Sequence, residues 1–362
     1  VCTVSRCVSC LLLALAIAVP QHVPAGESGP DVGAPSAVGP VLAVLPFADH
    51  TDEADAKTLF VSLIETRLAR GNFDLITTDD IRGTLRRLRI RSSGGASTAE
   101  AAAIVRELGA RYLLLGSLDF FLPGVIPEAG FSARLLDTET MRIVWAASVA
   151  ATGEDYAGLF GIGRVTSMEM LAEKLVEKAF AAFEETVDAR RVAAEPQPGS
   201  PVFAVVPFDN LSENRRAGEI VSSITLTQLV ARGAEVVEPG AVLEIFRAGN
   251  RSPRGEIDLA LLEQVRSALN AAYVITGTVD RFRPGLPAVE SSAPEIELGG
   301  RLIDARSGRI VAAHEVSGRG SDSNTLSAVG SRHSLGALAG KMIDRLLDKL
   351  DVDGHKRLAE GK

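Results

Sequence analysis

The sequence predicts an α/β protein of two similar domains, each a mixed sheet that carries an antiparallel hairpin and has helices packed on it. Three observations lead there. The chain repeats itself at long range: Val41-Leu42-Ala43-Val44-Leu45-Pro46-Phe47 returns as Val202-Phe203-Ala204-Val205-Val206-Pro207-Phe208. Tyr112-Leu113-Leu114-Leu115-Gly116-Ser117-Leu118-Asp119 returns as Tyr273-Val274-Ile275-Thr276-Gly277-Thr278-Val279-Asp280, both at an offset of 161. Arg134-Leu135-Leu136-Asp137 returns as Arg301-Leu302-Ile303-Asp304 at 167. Solenoid units run roughly 20 to 50 residues, so this period marks a whole duplicated domain. Short apolar runs alternate with helical stripes, and each copy carries, before its last helix, two alternating segments around a tight turn. What recurs in both copies is read as fold. What differs is where the copies could have separate tasks.

In the first copy the elements follow in order. Val41 to Pro46 is continuous and apolar, fitting a strand buried on both faces. Asp49 to Asp52 reads as a turn leading into a helix. Over Thr58 to Arg70, Leu59, Phe60, Leu63, Ile64 and Leu68 form one helical stripe, and Gly71 closes it. Phe73 to Thr77 is a second strand. Thr78 is a candidate N-cap for Asp79 to Leu88, with acids in its first turn and arginines later, as the helix dipole favours. Thr98 caps Ala99 to Leu108, closed by Gly109. Arg111 to Phe121 is a long strand. Ala129 to Asp137 and Met141 to Val149 pair around Thr138-Glu139-Thr140. Ser167 to Thr186 is an amphipathic helix. The second copy repeats this β-α-β-α-α-β-β-β-α order, with Asp304 to Arg309 as its hairpin turn and Ser334 to Leu350 as its last helix. Strands separated by helices imply parallel crossovers, to which the hairpin adds antiparallel strands.

Residues 1–25 read as a secretory signal: Arg6 is the positive end, Val8 to Val19 the apolar run, and Val23-Pro24-Ala25 offers small residues for cleavage. Retention of this segment as an anchor is the alternative. The run is short for an ordinary membrane-spanning helix of about 20 apolar residues. All three cysteines, Cys2, Cys7 and Cys10, lie inside it, so disulfides, thiol chemistry and cysteine metal sites are not expected beyond it. Residues 26–40 form a flexible lead-in rich in Gly, Pro and Ser. The first domain is expected over 41–186, a Pro-rich linker over 187–201, the second domain over 202–350, and a frayed polar tail over 351–362. The net charge is −8. This gives a nucleic-acid partner no electrostatic support, since such proteins carry a basic patch or stripe.

Taken in order and twice over, the motifs resemble one superfamily. The lines that carry it are Val44-Leu45-Pro46-Phe47, then Leu108-Gly109-Ala110-Arg111-Tyr112-Leu113-Leu114-Leu115-Gly116-Ser117-Leu118, and Arg301-Leu302-Ile303-Asp304-Ala305-Arg306-Ser307-Gly308-Arg309-Ile310-Val311. They are similar to the domain shared by the curli-secretion channel subunit CsgG, the amino-terminal domain of the translocation protein TolB, and the lipoprotein activator LpoB. The resemblance covers roughly 40–186 and 201–350. It implies a bacterial envelope protein that acts by assembly and protein contact, in the periplasm or at the outer membrane, with no catalytic set and no cofactor. Two departures limit it. No lipidation cysteine follows the apolar run. The connections Phe121 to Gly130 and Phe282 to Glu297 are too short or too rich in proline for hairpins of a membrane barrel, whose strands need about 9 to 11 residues each. Channel formation is therefore not carried over, no integral insertion is expected, and peripheral membrane association stays open. The alternatives are a soluble or peripheral component of an outer-membrane secretion apparatus related to the curli channel and, further off, an enzyme with an unrecognised site.

The chemistry-bearing residues are few. Gly158-Leu159-Phe160-Gly161-Ile162-Gly163 lacks the spacing of a nucleotide loop and any following Lys-Ser/Thr. It reads as a loop opening the last helix, with Leu159, Phe160 and Ile162 as candidate contacts to a neighbouring domain or subunit. His50 stands among Asp49, Asp52, Glu53 and Asp55 with no ligand spacing for a metal. An acidic first turn of a helix accounts for those carboxylates, and the second copy has Leu211 there. Asp49 with Thr51 and Asn210 with Ser212 share a pattern suited to capping a turn. Gly116 and Gly277 precede Ser117 and Thr278 without the glycine of a nucleophile elbow. Arg82, Arg86, Arg87, Arg89 and Arg91 have no equally dense equivalent in the second copy. They form either a solvated helix face or a site for an acidic protein or polyanionic partner. Envelope proteins and self-assembly are the partners expected. The two copies could also pair pseudo-symmetrically, as a tethered dimer of single domains.

Overall fold

In this computed structural model, residues 39–51, 53, 55–91, 94–158, 162–192, 200–252, 257–285, 293–320 and 334–359 are described. The expected signal, lead-in and cysteines, with Leu159 and Phe160, lie outside them. The first apolar run forms β1 (Val41–Val44), which pairs in parallel with β3 (Asp74–Ile76) and with β4 (Tyr112–Leu122). From β4 the sheet continues antiparallel through β5 (Glu128–Asp137) and β6 (Arg142–Thr152). The strand order is β3-β1-β4-β5-β6, and the two-residue β2 (Ala48–Asp49) pairs with β4. Its helices are α1 (Ala56–Leu68), α2 (Thr78–Arg87), α3 (Thr98–Leu108), α4 (Met168–Ala179) and α5 (Phe183–Val192).

The second sheet has the same order, β9-β7-β10-β11-β12, with β8 on β10. Its strands are β7 (Val202–Val205), β8 (Asp209–Asn210), β9 (Glu235–Val236), β10 (Ala271–Arg283), β11 (Glu295–Asp304) and β12 (Ile310–Arg319). Its helices are α6 (Ala217–Ala231), α7 (Pro239–Ala248), α8 (Leu259–Leu269), α9 (Leu335–Lys349) and α10 (Val352–Ala359). The chain is thus α/β with two similar domains, each a mixed sheet with helices packed on it.

Alternation along the strands separates three cores. Leu42, Val44, Leu114, Phe131 and Trp145 face α1 and α4 on one side of the first sheet. Ala204, Val206, Val274 and Ile303 face α7 and α8 on the far side of the second. Between the sheets lies one shared core. Leu113, Leu115, Phe120 and Ile143 of the first sheet join Ile220, Ile224, Leu226 and Ile343 of α6 and α9, and Phe203, Ile275 and Leu302 of the second sheet. Phe120 and Phe282 stack across it, centroids 6.2 Å apart. The face of sheet one that carries α2 and α3 therefore also receives the α6/α9 layer of the next domain.

This is head-to-tail packing of unlike surfaces, where two-fold pairing would have joined like ones. The helices explain the choice. Both sides of α6 are apolar, and ten of its residues are buried. Its counterpart α1 exposes Thr58, Ser62 and Thr66, has Glu65 where α6 has buried Leu226, and buries five.

Several local expectations shift. The caps fall one residue early, at Thr77 and Ser97, because Asp80 and Glu100 then stand at the third helical position and close capping boxes. The Thr78 hydroxyl instead bonds the Val44 carbonyl. The acids around His50 precede α1, whose first turn is free of acids, so the expected acidic first turn is not found and of these acids Asp55 stands at the helix end, as its N-cap. The helix expected over 167–186 breaks after Ala179. Phe180 and Phe183 then both meet Trp145, at 4.8 and 4.9 Å. The chain stays helical to Val192, inside the stretch expected as linker. The expected frayed tail is α10, with Val352 fully buried and His355 against the Tyr273 ring. Periodicity could not reveal β2 and β8, which are two residues each.

The recurring Pro-Phe and strand glycine belong together. A Cβ at Gly116 would lie 2.5 Å from Phe47 Cε2 and 2.5 Å from the Ser132 carbonyl oxygen. At Gly277 it would overlap the Gly299 carbonyl oxygen and the Phe208 ring. The ring after β1 or β7 thus lies flat on a strand position that tolerates no side chain. Gly116→Ala is expected to cost about 1–3 kcal/mol through overpacking, read as a lowered denaturant midpoint at unchanged slope.

Candidate functional site

A cleft of about 580 Å3 opens beside the shared core. That size suits a small ligand or a few residues of a peptide. Its walls come from the turn after β1, the α2–α3 connection and the starts of α6 and α7. Its floor includes Phe208, Leu226, Leu243 and Phe246, and around it stand Lys57, Arg91, Arg215 and Arg247.

The cleft's acids are engaged. Asp49 Oδ1 accepts from the Thr51 amide at 2.9 Å and hydroxyl at 2.8 Å. Glu100 closes the α3 capping box. Glu219 lies 3.2 Å from Arg216 and 3.3 Å from His50 Nε2. Among the described residues, no ion pair within 4 Å engages Arg91, Arg215 or Arg247. The rim therefore presents unneutralised positive charge above an apolar floor.

Two buried polar clusters fix the geometry. Arg134, from β5, donates to both oxygens of Glu238, the N-cap of α7, at 2.6 and 2.5 Å. The side chains are 8% and 1% exposed. Arg134 also bonds the Gly94 carbonyl at 2.9 Å, and Glu238 accepts the Ala96 amide at 3.3 Å. This pair locks the α2–α3 connection, sheet one and α7 together. Beside it, Asp119 accepts from Ser117 and Ser132, each at 2.6 Å, and from His50 Nδ1 at 3.1 Å. His50 thus links buried Asp119 of the first domain to Glu219 of the second. Toward the other end of β5, Glu128 accepts from the Ser334 hydroxyl at 3.1 Å and the Gly336 amide at 3.4 Å, at the start of α9. Desolvation pushes its carboxyl up to about 7. The bonds from Gly336, Ser334 and Leu335 act against the rise, and nearby Asp155 adds to it.

The residues singled out from sequence are dispersed. Arg82 pairs with Asp79 at 3.1 Å, Arg86 turns back to the Arg82 carbonyl, and Arg87 reaches Thr84 and Glu107. Arg89 holds a left-handed backbone, φ 56°, where α2 ends. Arg91 alone of the five lines the cleft. Ile162 is 75% exposed in a turn away from it. Ser212 bonds Asn210 as Thr51 bonds Asp49, so both turns form. No cluster of metal-ligand residues occurs among the described residues, and none of their helices is long and apolar enough to cross a membrane.

Sequence reasoning missed Arg134–Glu238 and the His50 bridge. The signal lay in the differences between the two domains. Arg134 recurs as Arg301, but Glu238 and His50 do not recur: by register their counterparts are Thr77 and Leu211.

No family model matches the chain, and no curated protein does. Among solved structures it is similar to the PelC dodecamer from Paraburkholderia phytofirmans, at 25% identity over 42% of this chain and 87% of that one, TM-score 0.30. It is similar to lipoprotein GNA1162 from Neisseria meningitidis, at 20% identity over 41% and 99%, TM-score 0.30. The C-terminal domain of LpoB from Escherichia coli matches at 14% identity over 36% and 90%, TM-score 0.24.

Proposed function

We propose that this chain is an exported, non-enzymatic binding module of the bacterial cell envelope, whose two domains form one rigid receptor for an acidic protein segment. The amino-terminal apolar segment and the resemblance carried by the repeated motifs support export and an envelope location, in the periplasm or at the outer membrane. The observation that carries the binding reading is the cleft: among the described residues, three arginines without ion-pair partners stand over an apolar floor, and the cleft carboxylates are engaged. Such a site takes a carboxylate-bearing segment with one or two apolar side chains. Charge steers the approach, and desolvation of the apolar part holds it.

The test uses the full chain and a fluorescein-labelled peptide of alternating glutamate and leucine, read by anisotropy. Binding is expected to weaken roughly tenfold in the double variant Arg91→Ala/Arg247→Ala, and comparably when ionic strength rises from about 0.05 M to about 0.5 M. Both residues are exposed at the rim, so thermal stability should not change. Affinity indifferent to both manipulations would remove the cleft as the binding site.

A further inference from the structure

The joint between the domains has a vacant duplicate. On sheet one, the socket that receives the second domain is built on β4, β5 and β6. Leu115 and Ser117 stand on β4, and Ser132 and Arg134 on β5. Ala146 and Ser148 face them from β6. The same register on sheet two places Thr276 and Thr278 on β10, Gly299 and Arg301 on β11, and Ala313 and Glu315 on β12. The arginine recurs, as do the cross-strand alanine and the small residues that let a helix approach. On sheet one this face is buried under α6, and its arginine holds Glu238.

On sheet two the face is open. Arg301 is exposed and, among the described residues, without a hydrogen-bond or ion-pair partner. Ile143 of sheet one is 3% exposed in the shared core, whereas Ile310, at the same register position, is 54% exposed. The opening is a groove of about 770 Å3 lined by Ile257, Leu262 and Ile303 beside α8 and by Arg301, Ile310 and Glu315.

We propose that this face of sheet two docks a helical segment of a partner protein, with a partner carboxylate beside that helix meeting Arg301. The helix's apolar side covers Ile310 and the small residues of β11 and β12, and a basic residue on it meets Glu315. The internal joint sets this chemistry: an apolar helix, with a glutamate N-cap beside it, fills the matching socket on sheet one. A second copy of this chain does not supply it. The surface it would offer in the same mode is α1 with the start of α2, where the polar Thr58, Ser62 and Thr66 are the exposed positions, Glu65 stands in place of Leu226, and Thr77 in place of Glu238. The proposal rests on a different surface from the acidic-segment cleft and stands or falls separately.

The probe is a synthetic peptide spanning residues 216–249, which contains the α6 and Glu238 that fill sheet one. Binding to the full chain is followed by the anisotropy of a dye on the peptide's amino terminus. Saturable binding is expected, about tenfold weaker for the peptide carrying Glu238→Gln or the protein carrying Arg301→Ala, with no further loss when both are combined. That absence of additivity is the mark of a direct pair. Arg301 is exposed, so its variant should melt with the parent, and the Arg91/Arg247 variant should bind this peptide normally. Absence of binding, or binding equal in all four combinations, would overturn the proposal. A dimer of the chain alone that Arg301→Glu dissolves would also overturn it, by making the occupant a second copy.

Discussion

Replacing Glu238 by alanine is expected to destabilise the protein by about 3–5 kcal/mol, the range for stripping one partner from a buried ion pair. Arg134 then keeps its charge at 8% side-chain exposure with only the Gly94 carbonyl as an acceptor. The loss is not the worth of the pair. Bringing both ions out of water is costly, and a double replacement by apolar residues of similar volume, Arg134→Met with Glu238→Leu, should lose much less than either single truncation. Denaturant titration of the two singles and the double separates these possibilities. If the double is as damaged as the singles, the pair contributes net stability through its further bonds to the α2–α3 connection and the Ala96 amide. The singles should also broaden the transition or split it. They cut a lock between domains while leaving the separate cores around Phe131 and Phe246 untouched.

How much of this was legible in the chain depends on whether the determining contacts are local. The Tyr112 to Asp119 strand, the hairpin at Thr138 and the glycine that closes α3 are set by alternation, turn chemistry and a left-handed cap. All of these are written within a few residues, and all formed. The N-caps were misplaced by one residue because two adjacent hydroxyls compete. Only the carboxylate three residues on, Asp80 or Glu100, settles which one caps. The joint between domains was not legible, because Arg134 and Glu238 lie 104 residues apart and neither belongs to a local pattern. The run of arginines from Arg82 to Arg91 shows the complementary case. Density along the sequence made it conspicuous, but helical geometry sends Arg82 and Arg87 to their own neighbours and leaves Arg91, beyond the helix end, to reach the cleft. Comparison between the two similar domains was the better guide. Arg134 and Arg301 recur, so an arginine there belongs to the fold. Glu238 and His50 appear once, so the contacts they make belong to this particular pairing of domains.

The same joint should respond to pH through Glu128. Its carboxyl titrates at about 7 in the folded protein, raised first of all by burial, against 4.5 for the free group. Between those values the folded state holds a proton that the unfolded state has released. The contribution is therefore fully present below about pH 4.5 and is lost as pH rises through 7. A shift of this size corresponds to about 3 kcal/mol in all. Glu128→Gln keeps an oxygen that can accept from Ser334 and Gly336, and has no charge to desolvate. The variant is expected to match the parent near pH 4.5 and to exceed it in stability above pH 7, with the difference growing across that window. Other carboxylates titrate in the same range, so the comparison has to be variant against parent at each pH. The geometry makes the readout specific to the joint. Glu128 sits at the start of β5, and its partners open α9, so ionisation loosens the seat of α9 on sheet one. Gly336 is placed there because a Cβ would overlap Ala150 and Phe120. Hydrogen exchange should accordingly show α9 and the facing part of β6 opening more readily at pH 8 than at pH 5 in the parent and equally at both in Glu128→Gln. A variant that keeps the parent's pH dependence would show that Glu128 is solvated in the folded protein and that the joint is held without it.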